Sequence, residues 1–575
     1  MNIKRWHEWN EIKEIQKEIT EGLSITINGL SDTQRHHFVY SLIEGAGKKA
    51  LYVAANDLQA RKAFQNLESL FRERVYYFPF REKMLYDVES KSREQAFQRI
   101  ECLGKLLEGD YTAVVLSCES IIDYYMPPDD FKSYFISLKT GDTVNLEELT
   151  RRLAAAGYER EEMVEARGQF SVRGGIIDVF PVQYDKPVRI ELFDIEIDSM
   201  RIFDIESQRS CENVGQVRIF PAREFVFTEE QASRIAERLD AELNEYLSKI
   251  NDMDLAALFR SNFGAYVEML KNSGNFAGID KFIPYFYDSR HSIFEYVFPN
   301  TVIFVEDTER LKQRLENVIE EHTQQCEILI EKGMVLPGMF DMYFEPKAVS
   351  SLVGNMQAVY LNSLDEGESL AGVYRSHIIT GKNIEPYRGH LEQLKKDIKN
   401  WISGEYQVTL LASTDKRKAG LKEMLAEEGI NVYSDEPPGD IPCVIVTQGQ
   451  LENGFVYPQI KWAVVTESDI ISAAVKKPEI KIEGARKIKA FTDLKVGDYV
   501  VHQMHGIGLY TGIETLTVEG VKREYLKVEY RDGGLLYIPV TQMELIQKYI
   551  GTEGKTPKLN KLGGTEWLRE KKREI

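Results

Sequence analysis

Gly29-Leu30-Ser31-Asp32-Thr33-Gln34-Arg35-His36 follows an apolar stretch and precedes a helical one, where a phosphate-binding loop of pattern G-x-x-x-x-G-K-[ST] would sit. Such a loop needs a second glycine for close backbone approach to phosphate, a compact ammonium, and a hydroxyl for magnesium. Gln34 stands where that glycine belongs and places a side chain in the way. Arg35 keeps the charge in a planar fork instead of a point charge. His36 has no hydroxyl, and Asp32 adds negative charge. The residues predict a lost nucleotide site; the alternative is an ordinary strand-turn-helix with no nucleotide history. Gly45-Ala46-Gly47-Lys48-Lys49 imitates the motif but reads as a helix C-terminus turning into the next strand. Val305-Glu306-Asp307 has the form of a magnesium-binding acidic pair, yet without a phosphate loop it reads as a strand end and helix cap. His502 and His505 have the spacing of a metal pair, but no nearby cysteine or carboxylate completes the ligand set. There is no nucleophile elbow and no convincing carboxylate pair. No catalytic residue, metal or cofactor is therefore expected.

The elements that position these residues alternate at first. Residues 24–29, 51–56, 75–79 and 111–117 read as strands, with helical apolar periods between them, which predicts a parallel sheet covered by helices. From about residue 133 the texture changes. One helix at 146–156 precedes short strands at 169–173, 176–180, 188–193 and 199–203, an α+β module inserted in the larger domain. Helices dominate 222–345, with one strand at 301–305. Residues 346–385 carry no clear period and read as a linker. A second small α/β unit spans 386–467, a basic linker 468–490, a compact β module 491–550, and a basic tail 551–575.

Composition narrows the class. The chain has 575 residues, 43% of them apolar, enough for several ordinary cores. No run approaches the ~20 apolar residues of a membrane span, and the N-terminus lacks the apolar core of a secretory signal. The five cysteines are scattered without a C-x-x-C pair, which fits buried thiols in a reducing cytoplasm. A net charge of -19 opposes bulk attraction to nucleic acid, so protein partners are the better expectation.

The most specific string is Arg167-Gly168-Gln169-Phe170-Ser171-Val172-Arg173-Gly174-Gly175-Ile176-Ile177-Asp178-Val179-Phe180-Pro181, followed by Pro187-Val188-Arg189-Ile190-Glu191-Leu192-Phe193-Asp194. Strand alternation puts Arg189, Glu191 and Phe193 on one face, with Ile190 and Leu192 on the other. An arginine beside an exposed phenylalanine is the pattern of a protein-binding hot spot. The alternative makes Phe193 core and pairs the arginines with Glu191 and Asp194. The string resembles the inserted domain of the excision-repair helicase UvrB, which recurs in the transcription-repair coupling factors. In both families it docks UvrA, and the resemblance implies Arg173, Arg189 and Phe193 as contacts. Two features favour the coupling factors over UvrB. UvrB carries a long aromatic hairpin after its third strand, whereas residues 75–87 pass directly towards a helix here. The segment 203–210 is also closer to the coupling factors.

The C-terminal module contains Val501-His502-Gln503-Met504-His505-Gly506-Ile507-Gly508-Leu509-Tyr510, then an alternating strand placing Leu526, Val528 and Tyr530 on one face, then a hairpin turn at Arg531-Asp532-Gly533-Gly534. It resembles the CarD-like, Tudor-type barrel with which the coupling factors grip the RNA polymerase β subunit. The segment 501–510 is the expected contact, and pairing through an exposed strand edge is a plausible mode. The alternative is an SH3-like barrel used for internal packing. The tail resembles the start of the linker helix that leads, in that family, to a double-stranded-DNA translocase motor. That motor, with its ATP and magnesium and most of the DNA contact, is missing from this sequence, so the chain reads as a truncated piece.

Together these features predict a multidomain α/β and α+β protein. A UvrB-like degenerate P-loop domain (1–132 and 222–345) carries an inserted UvrA-binding domain (133–221). The small α/β domain and the Tudor/SH3-like barrel follow. The expected function is a monomeric, cytoplasmic, non-catalytic adaptor between stalled RNA polymerase and UvrA. The competing classes are a UvrB-like DNA-dependent ATPase and a CarD-like transcription regulator.

Overall fold

The structure is a computed structural model. It describes residues 4–81, 93–205, 207–273, 276, 278–363, 375–434, 441–470, 485–487, 496–502, 506–518, 521–531, 533–539, 546–549 and 558–560. The chain divides into two compact units, Met1–Tyr86 with Glu94–Ala473, and Asp87–Arg93 with Ala474–Ile575.

In the first unit, β1 (Ile25–Asn28), β2 (Lys49–Ala54), β3 (Val75–Phe78) and β4 (Ala113–Ser117) alternate with the helices Asp32–Ala46, Asp57–Phe71 and Arg93–Glu108. Gly47 ends the first of these in the left-handed conformation, as expected of a C-terminal glycine. Residues 82–92, where the UvrB hairpin would branch off, lie outside the described residues.

The chain then builds the insertion: β5 (Ile136–Lys139), β6 (Glu159–Arg160), β7 (Gln169–Arg173), β8 (Ile176–Val179), β9 (Val188–Phe193), β10 (Glu196–Phe203), β11 (Ser210–Asn213) and β12 (Gln216–Ile219). Strands β6 to β11 form one sheet in the order β11-β10-β9-β8-β7-β6, antiparallel except between β6 and β7. The outer legs β5 and β12 pair with each other from Ile136↔Ile219 to Lys139↔Gln216. This brings the two ends of the insertion side by side, so a whole domain occupies the place of one loop.

A buried charge cluster fastens its base. Glu224, just after the insertion, accepts from Arg99 Nε at 2.9 Å and Nη2 at 2.8 Å, and from Arg81. Burial alone would raise the Glu224 carboxyl. The charges and hydrogen bonds of Arg81 and Arg99 outweigh it and hold the group down at about 2.

The chain returns through the helices Glu229–Leu247 and Met253–Ser273 to β13 (Thr301–Glu306), the helix Thr308–Ile330, the helix Pro346–Gly354, β14 (Ala358–Asn362) and β15 (Arg375–Ile378). The resulting sheet has the order β15-β1-β14-β13-β2-β4-β3 with every pairing parallel. The expected linker 346–385 is thus corrected: β14 lies between β1 and β13, inside the sheet. A strand covered on both faces has no polar alternation to betray it.

The second sheet collects β16 (Lys382–Asn383), β17 (Gln407–Ala412), β18 (Val432–Tyr433), β19 (Cys443–Gln448), β20 (Phe455–Tyr457) and β21 (Trp462–Val465), in the order β16-β20-β21-β17-β19-β18. It packs against the first domain through aromatic rings. Trp6 and His37 lie 4.8 Å apart, His37 and Trp462 5.0 Å, and Trp6 and Tyr457 5.0 Å.

The second unit is an antiparallel sheet of β22 (Ala485–Lys487), β23 (Tyr499–His502), β24 (Gly506–Val518), β25 (Val521–Glu529), β26 (Leu535–Pro539) and β27 (Ile546–Tyr549), in the order β22-β27-β23-β24-β25-β26. Leu526, Val528 and Tyr530 are buried together, as the alternation requires. Gly508 is needed for packing, since a Cβ there would lie 2.5 Å from Val528 Cγ1.

Candidate docking surface

The region where a phosphate loop would sit is filled with protein. Gly29 has φ +92, its N–H bonds to Asn362 O at 3.1 Å, and a Cβ would meet Ile379 O at 2.9 Å. Here the glycine serves backbone packing. Gln34 accepts from the Ser31 N–H at 3.3 Å and donates to Asn383 Oδ1 at 3.3 Å. Arg35 is fully buried. It bonds to Glu306 Oε1 at 3.0 Å, to Asp307 Oδ1 at 2.7 Å and Oδ2 at 3.1 Å, and also to Ser363. The acidic pair therefore holds an arginine. Burial, reinforced by Asp307 and Asp32 and opposed by Arg35, pushes the Glu306 carboxyl up to about 7.

Asp307 occupies the helix-cap position expected of it, but its side chain makes no cap; Asn362 Oδ1 accepts from the Thr308 N–H at 3.2 Å instead. His36 Nδ1 accepts from Asn66 at 2.9 Å, and Asn66 Oδ1 accepts from the Glu452 N–H at 2.9 Å, a chain leading into the second sheet. Burial first, then Arg35, lowers His36 to about 3, so the ring is neutral.

On the insertion, the antiparallel register lines up Ser171, Asp178, Arg189 and Arg201 across β7 to β10. The next row is Arg173, Ile176, Glu191 and Ser199. Phe193 ends β9 and is 80% exposed, so the alternative that buried it fails. Its ring stands in water beside the turn that carries Asp194 at φ +59.

The two arginines do not pair with Glu191 and Asp194. Both reach Asp178, a residue only 1% exposed. Asp178 Oδ1 accepts from Arg189 Nε at 2.7 Å, and Oδ2 accepts from Arg189 Nη2 and Arg173 Nη2, each at 2.9 Å. Glu191 takes Arg201 at 3.3 Å and Ser199 Oγ at 2.8 Å. Arg189 also stacks 4.6 Å over the Phe203 ring. Its hydrogen bonds to Asp178 raise its pKa further above the ordinary arginine value. Arg173 remains 51% exposed at its side chain and Arg189 18%. Sequence reasoning placed Arg173, Arg189 and Phe193 on one surface but gave Asp178 no part. The available signal was an acid at an alternating strand position flanked by glycines and apolar residues.

In the second unit, Gln503, Met504 and His505 lie outside the described residues. Val501 and His502 are buried in β23, and Gly506, Ile507, Gly508, Leu509 and Tyr510 open β24. Val501 and His502 lie between β27 and β24, and Leu509 and Tyr510 pair with β25, so strand addition cannot use the backbone at these four residues; Gly506 to Gly508 pair with β23 on one side. Asn560 further ties it down, accepting from the Ile507 N–H at 2.6 Å. Among the described residues, no group of three or more His, Cys, Asp or Glu is placed to hold a metal. None of their helices is long and apolar enough to cross a membrane.

Two family models match the chain. One is described as the UvrB interaction domain, over residues 136–225, and one as the CarD-like/TRCF RID domain, over residues 494–550. The transcription-repair-coupling factor of Bacillus subtilis (strain 168) is 31% identical over 572 residues, covering 98% of this chain and 48% of the relative. The protein of the same name from Staphylococcus haemolyticus (strain JCSC1435) is 29% identical over 580 residues, covering 99% and 48%. The chain spans about half the length of the curated relatives it matches. With the Phe193 face inside the first matched module, and a second matched module following it, the chain is similar over nearly its whole length to about half the length of the transcription-repair-coupling factors.

Proposed function

We propose that this chain is an adaptor. Its inserted domain docks UvrA, its C-terminal module holds the RNA polymerase β subunit, and together they bring excision repair to polymerase stalled at DNA damage. The observation that carries this reading is the exposed Phe193 beside the half-exposed Arg173, inside a UvrB interaction domain that shares a chain with a CarD-like module. We take that module to be a Tudor-type barrel, the adaptor to be a cytoplasmic monomer, and segment 501–510 to contribute side chains rather than a strand edge. The test is capture of purified UvrA and of polymerase β by the chain. Both should bind, and Phe193→Ala should remove UvrA alone. A CarD-like regulator would capture polymerase and leave UvrA in solution.

We also read the chain as free of nucleotide hydrolysis. Arg35 sits on Glu306 and Asp307, and the Gly29 N–H is spent on Asn362. ATP turnover stimulated by DNA and abolished by Arg35→Ala would overturn this in favour of a UvrB-like ATPase. ATP-driven translocation, with its magnesium and most DNA contact, we assign to the half of the full-length relatives that this chain does not match.

A further inference from the structure

Resting on the adaptor reading, we infer that Asp178 is a positioning residue of the docking face. It aims Arg173 at the partner and retains Arg189 as an internal strut. The donors decide the division of labour. Arg189 gives Nε and Nη2 to the two oxygens of Asp178. Nη1 and Nη2 also face the backbone and side-chain oxygens of Gln208, each at 3.4 Å. Its flat face lies on Phe203. A guanidinium offers five N–H groups in a fixed fork. With four of these engaged, Arg189 has no two-pronged edge left for a partner carboxylate.

Arg173 is arranged differently. A single Nη2 contact tethers it to Asp178, and half of the side chain meets water. The tether fixes its direction without consuming its fork, which lowers the ordering cost of binding. Gly174, at φ +61, turns the chain directly after it into β8. Because Asp178 and Arg189 are register partners, and Arg173 and Phe193 alternate in step with them, all four side chains share one face of the sheet.

The charges on this face also define the partner. Within the Asp178 cluster one carboxylate against two guanidiniums leaves a single net positive charge, presented by Arg173; on the same face Glu191 pairs with Arg201, and Glu196 stands opposite Phe193. The matching surface on UvrA must offer an acidic or carbonyl acceptor for Arg173 and, beside it, an apolar pocket for Phe193. Arg189 needs no counterpart there.

The experiment titrates UvrA against the full chain and five variants: Asp178→Asn, Arg173→Gln, Arg189→Lys, and the first and third each combined with Arg173→Gln. Asp178→Asn keeps the shape of the side chain and removes its charge. It should weaken binding about tenfold, while in the Arg173→Gln background it should change affinity by less than about twofold. A domain that was merely destabilised would lose affinity in both backgrounds, and full multiplication of the two losses overturns the inference. So does parent-like binding by Asp178→Asn.

If that variant does not fold, Arg189→Lys decides. Its loss should also vanish in the Arg173→Gln background, and a loss that persists there makes Arg189 a direct contact and sinks the proposal. Failure of the parent chain to bind UvrA overturns the adaptor reading and this inference together. Binding that Phe193→Ala abolishes, without the coupling, overturns this inference alone.

Discussion

At Arg35 a buried guanidinium faces Glu306 and Asp307, the acidic pair that would otherwise attract a cation. Removing it leaves two buried carboxylates with only the exposed Arg310, 3.6 Å from Asp307, as a counter-charge. Arg35→Ala should therefore destabilise the first unit by about 3–5 kcal/mol, read from urea unfolding. The position was legible in the sequence as the residue standing where a phosphate loop would carry its lysine. Its partners were not, because they arrive from 271 and 272 residues away.

Phe193 is the opposite case: a large apolar side chain facing water with little to lose in the folded state. Phe193→Ala should shift unfolding free energy by no more than about 0.5 kcal/mol, while costing about 2 kcal/mol of UvrA binding, or roughly thirtyfold in affinity. A matched pair of thermal melts and binding titrations checks both halves.

Among the elements, two kinds of strand were readable: those with polar alternation, and continuous apolar runs such as Ala113–Ser117 and Thr301–Glu306. The pattern at Leu526, Val528 and Tyr530 survives as a buried stripe. The run Ala358–Asn362 falls inside the expected linker, because it has no period and one of its neighbours in the sheet, β1, is more than 300 residues away in the chain. Within β24, Gly508 lies against Val528 with no room for a methyl group. Gly508→Ala should strain the β24–β25 pairing by about 1–3 kcal/mol. Hydrogen exchange should quicken through Val521–Glu529, and polymerase β binding should weaken with it. Unchanged exchange there would show that the sheet can shift to accept the methyl group.

For the first unit as a whole, the cluster of Glu224, Arg81 and Arg99 ties the insertion to its parent domain. The Glu224 carboxyl is held at about 2, below its ordinary 4.5. A group depressed on folding stabilises above its unfolded value, and that contribution drains away as pH falls through the window from 4.5 towards 2. The melting temperature of the parent should fall across this window. Glu224→Gln should already be about 3 kcal/mol less stable at neutral pH, with a shallower acid dependence, because one buried charge partner is gone. Circular dichroism melts at stepped pH would show it.

The amino-acid order alone determined the local rules: which stretches alternate, where the phosphate-loop pattern is not met, which glycines end helices, and which string marks the inserted module. Those properties depend on neighbours in the chain. Tertiary structure decided everything that depends on distant partners. It brought β14 into the first sheet, closed Arg35 onto Glu306 and Asp307, and gave both Arg173 and Arg189 to Asp178. Register across strands chooses among several nearby carboxylates, and that choice is made only when the sheet assembles. The departures from the phosphate-loop pattern at Gln34, Arg35 and His36 were therefore visible from the outset, whereas the use of these residues, as struts and interdomain contacts, required the fold.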